Sequence, residues 1–220
     1  MLARWSAVLG IFCFSVCAQA QTRTLAVYPG EIRTLDSVAA HSLQVELQRV
    51  LTPAGINVAM QPAGRSSGND EFQLLVVGAF QGDCSVDTLA RVRPVALRSG
   101  PLADASVSQG QVLPYFRVDC DRLVRTLTPA LQRLDVPMRE ALLGRAIARV
   151  MAHEIYHIVA QTTAHAESGI GKTVLSIADL TANTFDLNPD SLRRMQPALC
   201  PNPSVSPAIP AAAFVTATRR

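Results

Sequence analysis

The sequence predicts an α+β fold, with a mixed twisted sheet, a backing helix and a long helix that follows the strands. Two observations lead to this expectation. Short apolar or alternating segments, separated by turn residues, recur through the first half of the chain. Two longer segments, one early and one late, have the apolar spacing of amphipathic helices. This order of elements favours helices packed against one sheet.

Four elements are expected in the first part of the chain. Residues 24–28 (TLAVY) form a short apolar strand, and residues 35–51 form a helix that Pro53 and Gly55 stop. The alternating segment 56–60 is a second strand. The nearly continuous apolar run 72–80 is expected to be a central strand buried on both faces. Residues 62–70 between them form a loop.

Two further strands are expected near a sheet edge. Residues 89–97 alternate between arginine and apolar side chains, and Pro94 favours an edge position. Residues 112–118 form another strand, where Pro114 again favours an edge. The residues between these strands, 99–111, are expected to form a loop.

The last part of the chain is predicted to be mainly helical. Residues 121–134 form a helix with a break at Pro129, and residues 137–162 give the longest helical pattern in the chain. A short helix is expected at residues 189–195.

Composition excludes several classes of protein. Among 220 residues, 49% are hydrophobic and 17% are charged, which is enough apolar material for a folded core. The formal net charge is only +3, and the basic residues are scattered. We therefore expect no nucleic-acid partner. We also expect a monomer.

Residues 1–20 resemble a secretory signal peptide. A positive start at Arg4 precedes the apolar run 5–17, and Ala-Gln-Ala at 18–20 is a small-residue cleavage site. The run is too short to span a bilayer, which takes about 20 residues. We therefore expect a secreted or periplasmic protein that begins at Gln21 and has no stable membrane insertion after cleavage.

Two regions follow the signal peptide. Residues 21–196 are expected to form a single domain. Residues 197–220 are rich in proline and alanine and are expected to be a disordered tail.

Three cysteines remain after cleavage: Cys84, Cys120 and Cys200. In an oxidising compartment one disulfide is expected, with one thiol left over. We favour Cys84–Cys120, because both residues lie at the ends of strand-like segments. The other pairings and three unpaired thiols remain open.

The long helix contains His153-Glu154-Ile155-Tyr156-His157, an H-E-x-x-H motif. Two histidines four residues apart project from one face of a helix, so both imidazoles can reach one Zn²⁺ ion. The carboxylate of Glu154 then lies beside the metal, where it can act on a metal-activated water. The alternative is a helix with two hydrogen-bonded histidines and a surface glutamate.

A catalytic zinc site usually has three protein ligands and a water. His165 is the favoured third ligand, because neutral imidazole suits zinc. It can reach the site only if the helix ends soon after Ala160. Three carboxylates are the competing candidates: Glu167, Asp179 and Asp186.

With this motif the chain resembles the zincin metallopeptidases, and in particular a small bacterial variant of the metzincin clan. The resemblance covers roughly residues 24–171 and includes the order of strands and helices. It implies a zincin-like fold with a long active-site helix. It also implies that His153, His157 and His165 are zinc ligands and that Glu154 is the general base.

The chain departs from the clan pattern H-E-x-x-H-x-x-G-x-x-H in three ways. Ala160 occupies the glycine position, and the third histidine comes two residues later than in the pattern. A methionine turn is not evident, because Met195 lies in a predicted helix.

The function expected on these grounds is zinc-dependent hydrolysis of a peptide or protein substrate. A metal-activated water is the nucleophile in this reaction, and Glu154 is the general base. The alternative is a non-catalytic zinc-binding protein or an inactive scaffold of the same family.

Overall fold

A computed structural model describes residues 22–30, 32, 35–61, 72–86 and 100–199. The predicted signal peptide, the loop 62–70 and the strand 89–97 lie outside the described residues, as does Cys200. The elements, in chain order, are β1 Arg23–Pro29, α1 Ser37–Leu51, a 3₁₀ turn Thr52–Ala54, β2 Ile56–Met60, β3 Leu74–Gln81, β4 Ala103–Ser108, β5 Gln111–Asp119, α2 Cys120–Leu131, α3 Val136–Ala160, α4 Ile177–Thr181 and α5 Pro189–Leu199.

The described strands form one five-stranded mixed sheet in the order β2-β1-β3-β5-β4. Parallel pairing joins the first four strands of this order, and β4 is antiparallel to β5. Together with the helices, this sheet confirms the predicted α+β class with a mixed sheet.

The prediction that β3 is buried on both faces is wrong. Its side chains alternate, with Val76 buried at 1% exposure while Leu75 on the opposite face is 46% exposed. Residue Ala79, on the same face as Leu75, is also exposed. The nearly continuous run of apolar residues predicts burial on both faces, but only one face of β3 contributes to the core.

Two predictions at the sheet edge are also wrong. Among the described strands β4 is the last one beyond β5, whereas the sequence predicts a loop there, and β5 lies inside the sheet between β3 and β4. Pro114 is tolerated there because the β4–β5 register shifts between Ala105 and Val107, and because pairing with β3 starts only at Tyr115. A proline in such an irregularity removes no ladder hydrogen bond.

The backing helix α1 packs closely against α3. Asp36 caps α1 by accepting a hydrogen bond from the N–H of Val38 at 2.7 Å. Where the helices meet, a Cβ atom on Gly144 would overlap the carbonyl oxygen of Ala39. Glycine at this position therefore lets the two helices approach each other closely.

The core is formed by side chains of the sheet, α1, α2 and α3. Its fully buried members include Leu25, Leu47, Leu123 and Ile147. Within the described part of the chain, no helix is long and apolar enough to span a bilayer.

Two helix boundaries differ from the predictions. Helix α2 includes Pro129 and ends only at Leu131, so the helix does not break at the proline. Helix α5 continues to Leu199, and its end contacts the sheet through a 2.7 Å hydrogen bond from Arg23 Nε to the Leu199 carbonyl. The first residues of the predicted tail are therefore helical.

The predicted disulfide between Cys84 and Cys120 is confirmed. It joins the segment after β3 to the first residue of α2, with a Cα–Cα distance of 4.9 Å. Both residues are 1% exposed, so the disulfide is part of the core.

Candidate metal centre

The H-E-x-x-H motif lies in the last two turns of α3, as the helical pattern predicts. The helix places His153 and His157 one turn apart, and their Nε2 atoms are 3.1 Å from each other. The ring centroids are 4.7 Å apart. The two imidazoles thus point toward a common position.

Helix α3 ends at Ala160, within the range that a third histidine ligand requires. The next residue, Gln161, adopts the left-handed conformation with φ 47° and ψ 46°. Its side-chain amide donates hydrogen bonds to the carbonyls of Ile158 at 2.7 Å and Val112 at 3.0 Å. Gln161 therefore provides the turn that a third histidine ligand requires.

The turn brings His165 back to the two helix histidines. Its ring centroid lies 5.4 Å from that of His153 and 4.8 Å from that of His157. One potential ligand atom from each ring lies within 4.8 Å of the other two. The three histidines thus converge on one position.

The competing carboxylates do not join this cluster. Glu167 is exposed. Asp179 pairs with Lys172 at 2.5 Å, and Asp186 pairs with Arg49. Of the described residues, only the three histidines form a group of side chains with the spacing of metal ligands.

Backbone carbonyls fix the orientation of the two helix histidines. The Nδ1 atom of His153 lies 2.7 Å from the carbonyl oxygen of Ile170, and Nδ1 of His157 lies 2.7 Å from that of Thr162. Since a carbonyl only accepts hydrogen bonds, each Nδ1 carries the proton. In a neutral ring Nε2 then presents a lone pair to the site.

Both rings favour the neutral form in this environment. Burial lowers the pKa of His153 to about 4, although the hydrogen bond to Ile170 opposes this shift. Burial also lowers the pKa of His157, again against a hydrogen bond to a carbonyl. Two acceptor lone pairs therefore face each other across 3.1 Å.

This arrangement fits a zinc ion. Two lone pairs at this distance repel unless a cation lies between them. In a tetrahedral site with Zn–N bonds of about 2.1 Å, two nitrogen ligands lie about 3.4 Å apart. The observed separation of 3.1 Å is close to that value. Three imidazoles leave one tetrahedral position open, which is the arrangement of a catalytic rather than a structural zinc site.

Glu154 is buried beside the histidines and lines the same cleft. Burial, together with the nearby charge of Asp104, raises the pKa of Glu154 to about 7, although a hydrogen bond from the backbone N–H of Ala105 opposes the shift. A carboxyl group with this pKa can accept and release a proton near neutral pH. Residues of β4 line the same cleft as Glu154, so this strand lies beside the motif.

The cleft has a volume of about 530 Å³. Strand β4 lines one side of the cleft, and the H-E-x-x-H motif of α3 lines another. The other residues that line the cleft are mostly apolar or small, and they include Leu102, Val107, Val112, Val150, Thr163, Val174 and Leu175.

Sequence reasoning missed β4 and the two carbonyl acceptors. A signal for β4 was present, because Ala103, Ala105 and Val107 alternate with polar residues before Gln109-Gly110. Both turn residues have positive φ angles of 50° and 79°, as in a two-residue hairpin turn. The carbonyls of Thr162 and Ile170 belong to the backbone and have no sequence signature.

Comparisons with known proteins give one structural likeness. Neither the family models nor the curated proteins include a match to the chain. The chain is similar to the crystal structure of archaemetzincin from Methanopyrus kandleri, with 11% sequence identity and a TM-score of 0.45. This alignment covers 84% of the present chain and 99% of the other. We therefore infer the function from the geometry of the site itself.

Proposed function

We propose that the chain is a zinc-dependent peptidase that acts as a monomer outside the cytoplasm. The observation that carries this proposal is the pair of His153 and His157, whose unprotonated Nε2 atoms face each other at 3.1 Å with His165 beside them. A structural zinc site would be expected to have a fourth protein ligand. The described part of the chain offers three.

The metal and the protein have separate roles in the reaction. When bound by the three histidines, Zn²⁺ lowers the pKa of a water molecule and polarises the carbonyl group of the scissile bond. The carboxylate of Glu154 takes a proton from the attacking water. It then delivers that proton to the leaving amine nitrogen, so that the glutamate ends the cycle ionised.

The position of β4 supports a peptide as the substrate. This strand is the last of the described sheet, and it pairs only with β5. Its residues line the cleft beside Glu154, and its outer edge pairs with no strand among the described residues. An extended peptide can add to such an edge through main-chain hydrogen bonds, which would hold its backbone across the site.

Export is the second part of the proposal. The Cys84–Cys120 disulfide supports it, because disulfides persist in oxidising compartments. The signal-like residues 1–20 support it independently. We expect the N-terminal sequence of the protein recovered from the extracytoplasmic fraction to begin at Gln21.

Mass spectrometry of a peptide mixture tests the enzymatic proposal. The purified protein is incubated with a tryptic digest of unrelated proteins, either loaded with zinc or treated with a chelator. We expect new peptide ends only with the zinc-loaded protein. The variant Glu154→Gln is the matched control, since its amide cannot accept the proton, and it should bind zinc but cleave nothing. Equal cleavage by this variant, or no cleavage by the zinc-loaded wild type, would overturn the proposal.

A further inference from the structure

A cluster of three charged side chains, two of them buried, lies one helical turn before the first histidine of the motif. Arg149 is completely buried, and its Nε donates a 2.7 Å hydrogen bond to Glu46. Glu46 also accepts two hydrogen bonds from Arg49, at 2.8 Å and 2.9 Å. We call Glu46, Arg49 and Arg149 the buried ion cluster.

The buried ion cluster contacts the stretch of chain that follows the metal centre, residues 162–188, which we call the return segment. Arg149 donates a 2.6 Å hydrogen bond to the carbonyl of Asp179. Its guanidinium carbon also lies 6.0 Å from the centre of the Phe185 ring. The cluster therefore joins α1 and α3 to the return segment.

Arg49 makes a second connection to the return segment. It donates a 3.0 Å hydrogen bond to the carbonyl of Phe185 and forms an ion pair with Asp186. The carbonyl of Asp186 in turn accepts a 2.9 Å hydrogen bond from the N–H of Ile170. Ile170 is the residue whose carbonyl orients His153. A continuous path of contacts thus runs from the cluster to a proposed metal ligand.

Stability alone does not account for this cluster. Burying a guanidinium is costly, and apolar residues of similar volume often stabilise a fold as well or better. Among the described residues, Nη2 of Arg149 has no hydrogen-bond partner, so its burial is not fully compensated. The contacts with the return segment give the cluster a different role.

We propose that Glu46, Arg49 and Arg149 are positioning residues for the metal centre, an inference that rests on the proposed zinc site. They fix the return segment, so that the Ile170 carbonyl holds His153 with its Nε2 toward the metal. Outer partners of this kind typically change metal affinity by about 10- to 100-fold when they are lost.

The test uses the double variant Glu46→Leu with Arg149→Met, which removes both charges of the buried pair, while Arg49 keeps its ion pair with Asp186. We expect its zinc dissociation constant, measured by competition with a chelator, to rise about 10- to 100-fold. The visible spectrum of its Co²⁺-substituted form should also shift, because the ligand geometry changes. Arg193→Met is the control, since it removes a guanidinium from an exposed ion pair with Asp190.

A second variant covers the case in which the double variant does not fold. Arg49→Met removes the contacts with Phe185 and Asp186 but keeps the Glu46–Arg149 pair, and the Arg49 side chain is 35% exposed. We expect it to fold and to bind zinc more weakly than the control. Wild-type zinc affinity in whichever of these variants folds would overturn the inference. Failure of the wild type to bind zinc would instead overturn the proposed function.

Discussion

The Nε2 atoms of His153 and His157 lie 3.1 Å apart, although each ring already uses its Nδ1 proton in a hydrogen bond to a backbone carbonyl. This relationship makes both facing nitrogens acceptors. The local structure therefore holds both side chains in the form that binds a cation.

His165 should contribute to zinc affinity, whereas Glu167 should not. We expect His165→Ala to weaken zinc binding by more than about 100-fold, because a third ligand completes the open tetrahedral set. Glu167→Ala is the matched control, since this exposed carboxylate lies two residues away and is not in the histidine cluster. Competition titration with a chelator measures both affinities. A larger loss with Glu167→Ala would show that the carboxylate is the ligand.

The metal-free protein should become more sensitive to acid when Glu154 is replaced by glutamine. The raised pKa of Glu154, about 7, means that the folded state binds this proton first, which stabilises the fold as the pH falls from 7 to 4.5. The lowered pKa of His153, about 4, has the opposite effect as the pH falls below 6.5. In the wild type the effect of Glu154 opposes that of the histidines, to which the lowered pKa of His157 also contributes.

Glu154→Gln removes only the stabilising effect. Between pH 6.5 and pH 5 the variant should lose about 2 kcal/mol more of its unfolding free energy than the wild type does. Urea unfolding in the presence of a chelator measures this difference. Parallel pH profiles for the two proteins would show that burial does not perturb the Glu154 carboxyl group as described.

Gln161 should tolerate glycine better than alanine. Its left-handed backbone, with φ 47°, disfavours residues that have a Cβ atom by about 1–2 kcal/mol. Both substitutions lose the hydrogen bonds to Ile158 and Val112, so the difference between them isolates the backbone effect. We expect Gln161→Ala to be less stable than Gln161→Gly by about 1 kcal/mol in urea unfolding. The reverse order would contradict the left-handed turn.

The Cys84–Cys120 disulfide should contribute substantially to stability. It closes a loop with a sequence separation of 36 residues, for which loss of the cross-link costs about 4 kcal/mol. We therefore expect Cys84→Ala with Cys120→Ala to unfold at much lower urea concentration than the wild type. The control is Cys200→Ala, which leaves this disulfide intact. Equal unfolding midpoints for the double variant and this control would refute the prediction.

Much of the local arrangement of the site could be predicted from sequence, because it follows from helical periodicity. The four-residue spacing of His153 and His157 fixes their common face. His165 comes eight residues after His157, so the chain must turn soon after Ala160 if both histidines share a site. The structure places that turn at Gln161.

The remaining features depend on contacts that a single sequence does not show. Glu46 and Arg149 pair across 103 positions of the chain, and each had appeared only as part of a helix. Strand β4 consists mostly of alanine, serine and aspartate, which are weak strand formers, so the sequence predicts a loop there. From sequence alone Pro114 indicates an edge strand. The register shift that accommodates it inside the sheet depends on the partner strand β4, which a single sequence does not show.

Metal analysis of the purified protein tests the central claim most directly. After equilibration with zinc and removal of the free ion, elemental analysis gives the number of zinc ions per chain. The three-histidine centre predicts one zinc ion per wild-type chain and a large loss of zinc in the variant with both His153→Ala and His157→Ala. A wild-type protein that retains no stoichiometric zinc, or a variant that retains as much zinc as the wild type, would contradict the account.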